Sequence, residues 1–429
     1  MTPSERSYSY TRPWACAYFQ VDTVEVRGRE LTRYRYCDRV FYAPPADCPL
    51  ADFVACAQAA AASAGDRAML APLSEADAEV LRTHGWLVFE CWQGPDYIYR
   101  TQDLAELKGS KYQAKRNHIH KFEALGAWRY GPLVADDARA VLDAWLAAKT
   151  AAGEADAESR LEVTAIRRQL AEGWSCGGVL YLNGAPVAFA MGERLDDETM
   201  LVAYEKALDV QGAYALVNRE FARREGAGYV YLNRASADGH PNLVKAKESY
   251  HPCLRLRKFR ALASRCTWAT AADVDELAAL WHDVFGDPVD VARFFFERRP
   301  DVTLVLREGG RIVAMGSVLD LGDARYLYAL ATRSDCRGRG LATEIVETAK
   351  RLSFVPLAVV PGEPGLVRFY ERLGFAVSAP AVRREVVLDD FARDFYARCG
   401  LGPGEKVFCD LPTLAFPKGT AYEVSIPLN

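Results

Sequence analysis

Two different periodicities meet at residues 324 to 350. ARYLYALAT (324–332) alternates like a strand, and LATEIVETAK (341–350) repeats apolar residues at helical spacing. Between them stand Arg337, Gly338, Arg339 and Gly340. Glycines in such a turn leave the backbone N–H groups unhindered, and the first-turn amides and the macrodipole of the helix that follows favour an anion. A Walker loop would end in Gly-Lys-Ser/Thr, which is absent. The dinucleotide fingerprint GxGxxG would need a third glycine where Thr343 stands. Two readings stay open on these residues alone, a cradle for another phosphate-bearing ligand and a plain strand-to-helix turn.

The same succession of periods recurs. Residues 14–44 alternate as strands; LADFVACAQAAAASAG and SEADAEVLRTHG read as helices, the second opening on a Ser N-cap; WLVFECW returns to strand. After residue 130 helices over 135–173 precede the strands GGVLYLNGAPVAFAMGERL and ETMLVAYEKAL, a helix through Tyr214 to Arg224 and the strand GYVYLNRA. A third round begins near 265, with helices at 271–299, further strands, the glycine-rich turn with its helix, LAVVP and LVRFYERLG. The order predicts an α/β chain with mixed sheets and three units of similar logic, with a seam near 257–266.

At 429 residues the chain exceeds one ordinary domain. Its 53 Lys+Arg against 57 Asp+Glu leave no global field for nucleic acid or membrane, so any charge argument is local. No apolar run reaches membrane-spanning length, the start lacks the apolar core of a secretory signal, and the cysteines form no CxxC pair. These features predict a cytoplasmic protein without a transmembrane segment.

Arg337-Gly338-Arg339-Gly340-Leu341-Ala342, directly after a strand and before a helix, resembles the pyrophosphate loop of the GNAT acyltransferases. LAVVPGEPGLVRFYERLGFAV (357–377) is similar to the next strand of that family and its "FYExxGF" helix, and LWHDVFGDPVDVARFFFERR (280–299) to its substrate-side helices. The resemblance covers about 265–378 and implies a domain over 265–429 with a C-terminal extension from 379. It implies acetyl-CoA as co-substrate, held by Leu330, Ala331 and Thr332 along the pantetheine arm and by Arg337 through Thr343 at the phosphates. A backbone amide at Leu330 would face the thioester carbonyl, and Tyr370 would be the acid. Glu363 stands where the family often carries Asn. For a base, Glu297 and Asp320 are candidates, and both also read as solvated surface carboxylates.

In the first 262 residues, DYIYRTQDLAELKGSKYQAKRNHIHKF, YEKALDVQGAYALVNREFAR and YVYLNRASADGHPNLVKAKESYHP resemble, in order and spacing, the catalytic domain of the phosphatidylglycerol lysyltransferases. That domain has two GNAT-like halves, here about 1–128 and 129–262, which brings the implied total to three GNAT-like units in tandem. The family block NREEDLG reads Asn233, Arg234, Ala235, Ser236, Ala237, Asp238, Gly239, so two acidic positions are alanine and serine. The basic stretches 108–121 and 245–260, Lys115 and Arg116 among them, could hold tRNA phosphate. His118, His120, His240 and His251 lack metal-ligand spacing on one element, and no metal is expected. The leading expectation is an N-acetyltransferase moving an acetyl group from acetyl-CoA to a small-molecule or peptide amine. The alternatives are an aminoacyl-tRNA-dependent transferase with an auxiliary GNAT domain, and a non-catalytic acyl-CoA-binding scaffold.

Overall fold

A computed structural model describes residues 20–36, 39–44, 48–91, 94–155, 157–173, 175–238, 240–320, 324–353, 355–379, 384–386, 407–409 and 412–416. The chain divides into two compact units, Met1–His84 with Val88–Ala263, and Ser264–Asn429 with Gly85–Leu87. The local signals act as expected. Ser74 accepts the amide of Asp77 at 3.0 Å to start helix Glu75–Thr83, and Thr270 with Asp273 closes a capping box before helix Val274–Phe285.

The first unit contains two sheets. One runs Gln20–Val26, Arg29–Tyr36, Arg39–Tyr42, Met69–Leu73, Phe259–Leu262, Leu87–Glu90. The other runs Leu254–Leu256, Asp96–Arg100, Tyr231–Asn233, Thr199–Ala207, Ala185–Arg194, Cys176–Leu182, Trp128–Pro132. A division of this unit near residue 128 therefore does not follow the sheets. Asp96–Arg100 pairs antiparallel with Tyr231–Asn233 in the second sheet, and Phe259–Leu262 pairs antiparallel with Met69–Leu73 in the first. Strands are recruited by the edge their apolar faces fit, so chain order does not dictate sheet membership.

The second unit holds one seven-stranded sheet, Thr267–Trp268, Thr303–Glu308, Arg311–Asp320, Arg325–Thr332, Leu357–Val359, Thr413–Phe416, Ala376–Ala379. Thr413–Phe416 comes from the stretch read in sequence as an extension beyond 379. It bonds antiparallel to Leu357–Val359 on one side and to Ala376–Ala379 on the other, so it lies inside the sheet. Apolar residues of helices Val274–Phe285 and Val289–Arg298, led by Trp281, Phe295 and Phe296, pack against the sheet's buried face.

Each of the three large sheets has a parallel pairing among its described strands, and each such pairing is joined through a helix. The crossovers are Arg39–Tyr42 to Met69–Leu73, Thr199–Ala207 to Tyr231–Asn233, and Arg325–Thr332 to Leu357–Val359, and the contact spans between one and three residue pairs. Strands joined so briefly diverge.

Candidate functional site

In the second unit, Arg325–Thr332 is laddered to Arg311–Asp320 along its length but meets Leu357–Val359 only through Arg325 and Tyr326. From Leu327 onward the two strands part. Opposite this opening Gly316 faces both Ala329 and Leu330, because Ser317 pairs with Tyr328 and Met315 with Ala331; Ala329 takes up the bulge with φ 51°. A bulge redirects backbone groups that a regular ladder would spend on its neighbour. Gly316 is required here, since a Cβ would stand 2.8 Å from Ile345 Cγ2 of the following helix and 3.3 Å from Leu330 Cδ1.

The chain then turns through Ser334–Cys336 into the glycine-rich loop. Gly338 and Gly340 have φ 75° and 77°, and Gly340 caps helix Leu341–Leu352 with no side-chain acceptor for the first-turn amides. Nothing lies within 4 Å of where a Cβ on either glycine would be. Arg339 pairs with Glu308 at 2.9 Å, Arg337 Nε reaches Thr332 O at 3.4 Å, and both guanidinium-bearing residues are exposed. Leu330, Ala331 and Thr332 thus lead directly into Arg337 through Thr343, as one strand, turn and helix start. An uncapped helix end with open space and two arginines suits a pyrophosphate.

Tyr370 is 4% exposed on helix Val367–Arg372, with its ring edge-on to Phe369 at 5.0 Å and Phe375 at 5.7 Å. Burial pushes its phenol well above the usual tyrosine range, so it carries its proton at neutral pH. Glu297, Asp320 and Glu363 are exposed.

The first unit repeats the opening with different contents. Thr199–Ala207 meets Tyr231–Asn233 only over Thr199–Leu201, and bulges at Ala203 against Ala185–Arg194. Across the gap beyond, Glu205 pairs with Arg234, and Asn218 Nδ2 donates to Glu205 Oε1 at 2.9 Å. Arg234 lies over the rings of Tyr250 at 4.9 Å and Tyr99 at 5.6 Å, yet its Nε and Nη1 are buried without a hydrogen-bond partner. Lys115 Nζ sits 3.9 Å over the Tyr250 ring and donates to Ser249 Oγ at 2.6 Å. Lys247 is buried and donates to the carbonyls of Arg234 and Ala235. Burial, then the charge of Arg234, pushes both lysines down to about 8. Burial also drives the Tyr250 phenol up to about 12. Ala235 and Asp238 adopt left-handed φ of 53° and 47°. Three cations around one ion-paired carboxylate, with the Nε and Nη1 of Arg234 unspent, form a cluster that attracts an acyl carbonyl oxygen or an anion.

Helix Ala213–Arg224 follows this bulged strand as Leu341–Leu352 follows the other, and starts at Gly212, φ 88°, also without a side-chain cap. Its end is closed. A Cβ on Gly212 would overlap the His118 carbonyl oxygen and meet Phe122 Cβ at 3.0 Å, because helix Gln113–Glu123 lies across it.

The basic stretches are largely consumed inside the unit. Arg116 bonds the carbonyls of Leu107 and Gly109, Lys108 pairs with Glu106, Arg255 with Glu248, Arg257 with Glu75 and Glu90, and Lys258 forms a fully buried pair with Asp96. Lys115 and Arg116 therefore have internal partners where the sequence suggests phosphate contacts. His118 and His120 are exposed, His240 caps helix Pro241–Glu248, and His251 packs edge-on to Tyr112 at 5.5 Å. Among the described residues no group of three or more His, Cys, Asp or Glu is poised for a metal. Glu205 and Tyr250 escape a sequence reading. The signal for Glu205 is the repeated order of bulged strand, short loop, glycine and helix in YEKALDVQGAYAL and YALATRSDCRGRGLAT.

The profile of the family described as phosphatidylglycerol lysyltransferase, C-terminal, matches residues 33–262, more than half of the sequence. The chain belongs to this phosphatidylglycerol lysyltransferase C-terminal family. The acetyltransferase (GNAT) family profile matches residues 269–375. Among solved structures, a conserved protein of unknown function from Bacteroides thetaiotaomicron is similar at 29% identity over 58% of this chain and 88% of that one, with a TM-score of 0.53. The C-terminal domain of a putative lysylphosphatidylglycerol synthetase from Agrobacterium fabrum is 16% identical over 58% and 86%, TM-score 0.44. L-PGS from Bacillus licheniformis is 15% identical over 58% and 85%, TM-score 0.42. No curated protein matches the chain. The two families make this lysyltransferase-family chain a transferase of acyl or aminoacyl groups. Among the described residues no helix is long and apolar enough to cross a membrane.

Proposed function

We propose a two-centre transferase, in which the first unit moves an aminoacyl group from an activated ester such as aminoacyl-tRNA to a hydroxyl acceptor, and the second acetylates an amine. One observation carries the reading: of two similar bulged strands, each followed by a glycine-started helix, only the one at Gly340 leaves its helix end open to a pyrophosphate.

At the open centre, acetyl-CoA when bound supplies an acyl thioester. Arg337, Gly338, Arg339, Gly340, Leu341, Ala342 and Thr343 hold its phosphates, and the backbone of Leu330, Ala331 and Thr332 aligns the pantetheine arm. The Leu330 amide donates to the oxygen on which charge develops, and Tyr370, protonated in its buried setting, gives a proton to the departing sulfur.

At the closed centre the ligand must be held by side chains. Arg234, with its Nε and Nη1 unspent, polarises the aminoacyl carbonyl, and Glu205 fixes its guanidinium. Lys115, pushed down to about 8, takes the proton of the attacking hydroxyl. The membership of residues 33–262 favours an aminoacyl donor here.

The test is to give the purified chain acetyl-CoA with a panel of amines and, separately, charged tRNA with hydroxyl acceptors. Thiol release abolished by Gly340→Glu but not by Arg234→Gln, and tRNA deacylation with the opposite pattern, is expected. Loss of both activities in either single variant, with the protein folded, rules out separate centres.

A further inference from the structure

We infer that the acceptor at the second unit is an α-amine beside an ester carbonyl, the group that the first unit's reaction leaves on its product. The inference rests on the two-centre reading above.

Direct attack on a thioester needs a neutral nitrogen, and an enzyme that takes a protonated amine must supply a base to neutralise it. Among the second unit's described residues five buried or half-buried acids are in structural use, Glu347 with Lys350 at 2.9 Å being one. Asp273 pairs with Arg307 at 2.7 Å and caps Thr270; Glu276 binds Arg333 at 3.0 Å and the Ile312 amide at 2.8 Å; Asp287 accepts from Trp281 Nε1 at 2.7 Å; Glu308 pairs with Arg339. The unit's one histidine, His282, is exposed, with Nδ1 2.8 Å from the Asp287 carbonyl. Glu297 is solvated. With no buried base to spare among these residues, the amine must arrive largely neutral. An α-amine titrates near 8 and a lysine side chain near 10.4, so at pH 7 the neutral fraction differs on the order of 100-fold, and an adjacent ester widens the gap.

The chemistry of the two centres then connects. In the first, the acceptor hydroxyl oxygen bonds to the aminoacyl carbonyl carbon, the donor ester C–O bond breaks, and the hydroxyl proton passes to the leaving oxygen. The product is an ester with a free α-amine. In the second, the nitrogen lone pair forms the new C–N bond, the C–S bond breaks with its electron pair going to sulfur, the nitrogen gives one proton to water, and the thiolate takes one from Tyr370, which water then reprotonates. Aminoacyl transfer is thus the class of reaction that supplies this substrate, and the final product is an N-acetylaminoacyl ester.

The experiment offers the full chain acetyl-CoA at pH 7 with lysine methyl ester or Nα-acetyl-lysine methyl ester, follows thiol release, and locates the new acetyl group by fragmentation mass spectrometry. The expected kcat/KM is on the order of 100-fold higher for lysine methyl ester, with the label on the α-nitrogen. Equal rates, or label on the side-chain nitrogen, overturn the inference and leave acetyl transfer standing. Free lysine and a lysyl peptide identify the source. The ester leading supports an aminoacyl product, and the peptide leading overturns the link to the first unit. Thiol release with none of these, nor with spermidine, removes the acetyl-transfer reading and the inference with it.

Discussion

The carbonyl oxygen of His118 occupies the space into which a Cβ on Gly212 would project, whereas the corresponding space at Gly340 is empty. Both glycines have a left-handed φ, so alanine is strained at each by about 1 kcal/mol. At Gly212 the overlap adds about 1–3 kcal/mol. Calorimetry of Gly212→Ala should therefore show a loss of about 3 kcal/mol and a transition lowered by about 6–12 °C, against a few degrees for Gly340→Ala. Equal losses would mean that helix Gln113–Glu123 yields easily and does not seal the helix end.

Gly340→Glu fills the open cradle and sets a carboxylate where a pyrophosphate would lie. Acetyl-CoA affinity measured by titration calorimetry should fall by about 100-fold or more, roughly the weight of a lost charge-assisted anion site. The variant should remain folded. Unchanged affinity would return the turn to a plain connection.

Tyr370→Phe keeps the ring against Phe369 and Phe375 and removes only the hydroxyl. Turnover with acetyl-CoA should drop by about 10- to 1000-fold with affinity nearly unchanged. Turnover equal to wild type across the pH range would assign the tyrosine to the core.

Lys115 has an ordinary value of 10.5 and is pushed down to about 8 by burial and by Arg234. Between those values the unfolded chain binds more protons than the folded one, so the contribution of this lysine to stability rises with pH. Compared with Lys115→Gln, wild type should gain in thermal transition temperature as pH is raised from 8 toward 10. A difference between the two that stays constant over this range would show that Lys115 is solvated like an ordinary lysine.

Lys258 and Asp96 are 1% and 0% exposed, and Asn233 also donates to Asp96 at 3.0 Å. Lys258→Met leaves a carboxylate without its counter-charge and should cost about 3–5 kcal/mol in urea unfolding. Adding Asp96→Asn to it should restore part of that loss. A single-variant cost below about 1 kcal/mol, the level of a surface pair, would contradict the buried geometry.

The strand, helix, strand order is legible in the sequence because the period changes from two to about 3.6 at each crossover, and glycine marks the turn at 337–340. The bulge at Ala329 is not, since it exists only relative to the partner strand, where Gly316 faces two residues. Nor is the exchange of Asp96–Arg100 and Phe259–Leu262 between sheets, which depends on edges that form only in three dimensions. Lys115 and Arg234 are visible as charges, but charge does not tell which way a side chain turns. The helix of Lys115 places it on Tyr250, and the parting of two strands brings Arg234 to Glu205, 29 residues away.

The late strand Thr413–Phe416 has a kinetic consequence. Leu357–Val359 and Ala376–Ala379 cannot be joined until it has been synthesised, although both leave the ribosome earlier. At about 5–20 residues per second, Leu357–Val359 precedes it by roughly 3–11 s. Throughout that interval the second unit has a half-built sheet with an unpaired edge, open to pairing with other chains. A stop codon just before this strand would leave the whole glycine-rich loop encoded, yet yield a product prone to aggregate, so its cellular abundance would fall before its affinity for acetyl-CoA could be measured.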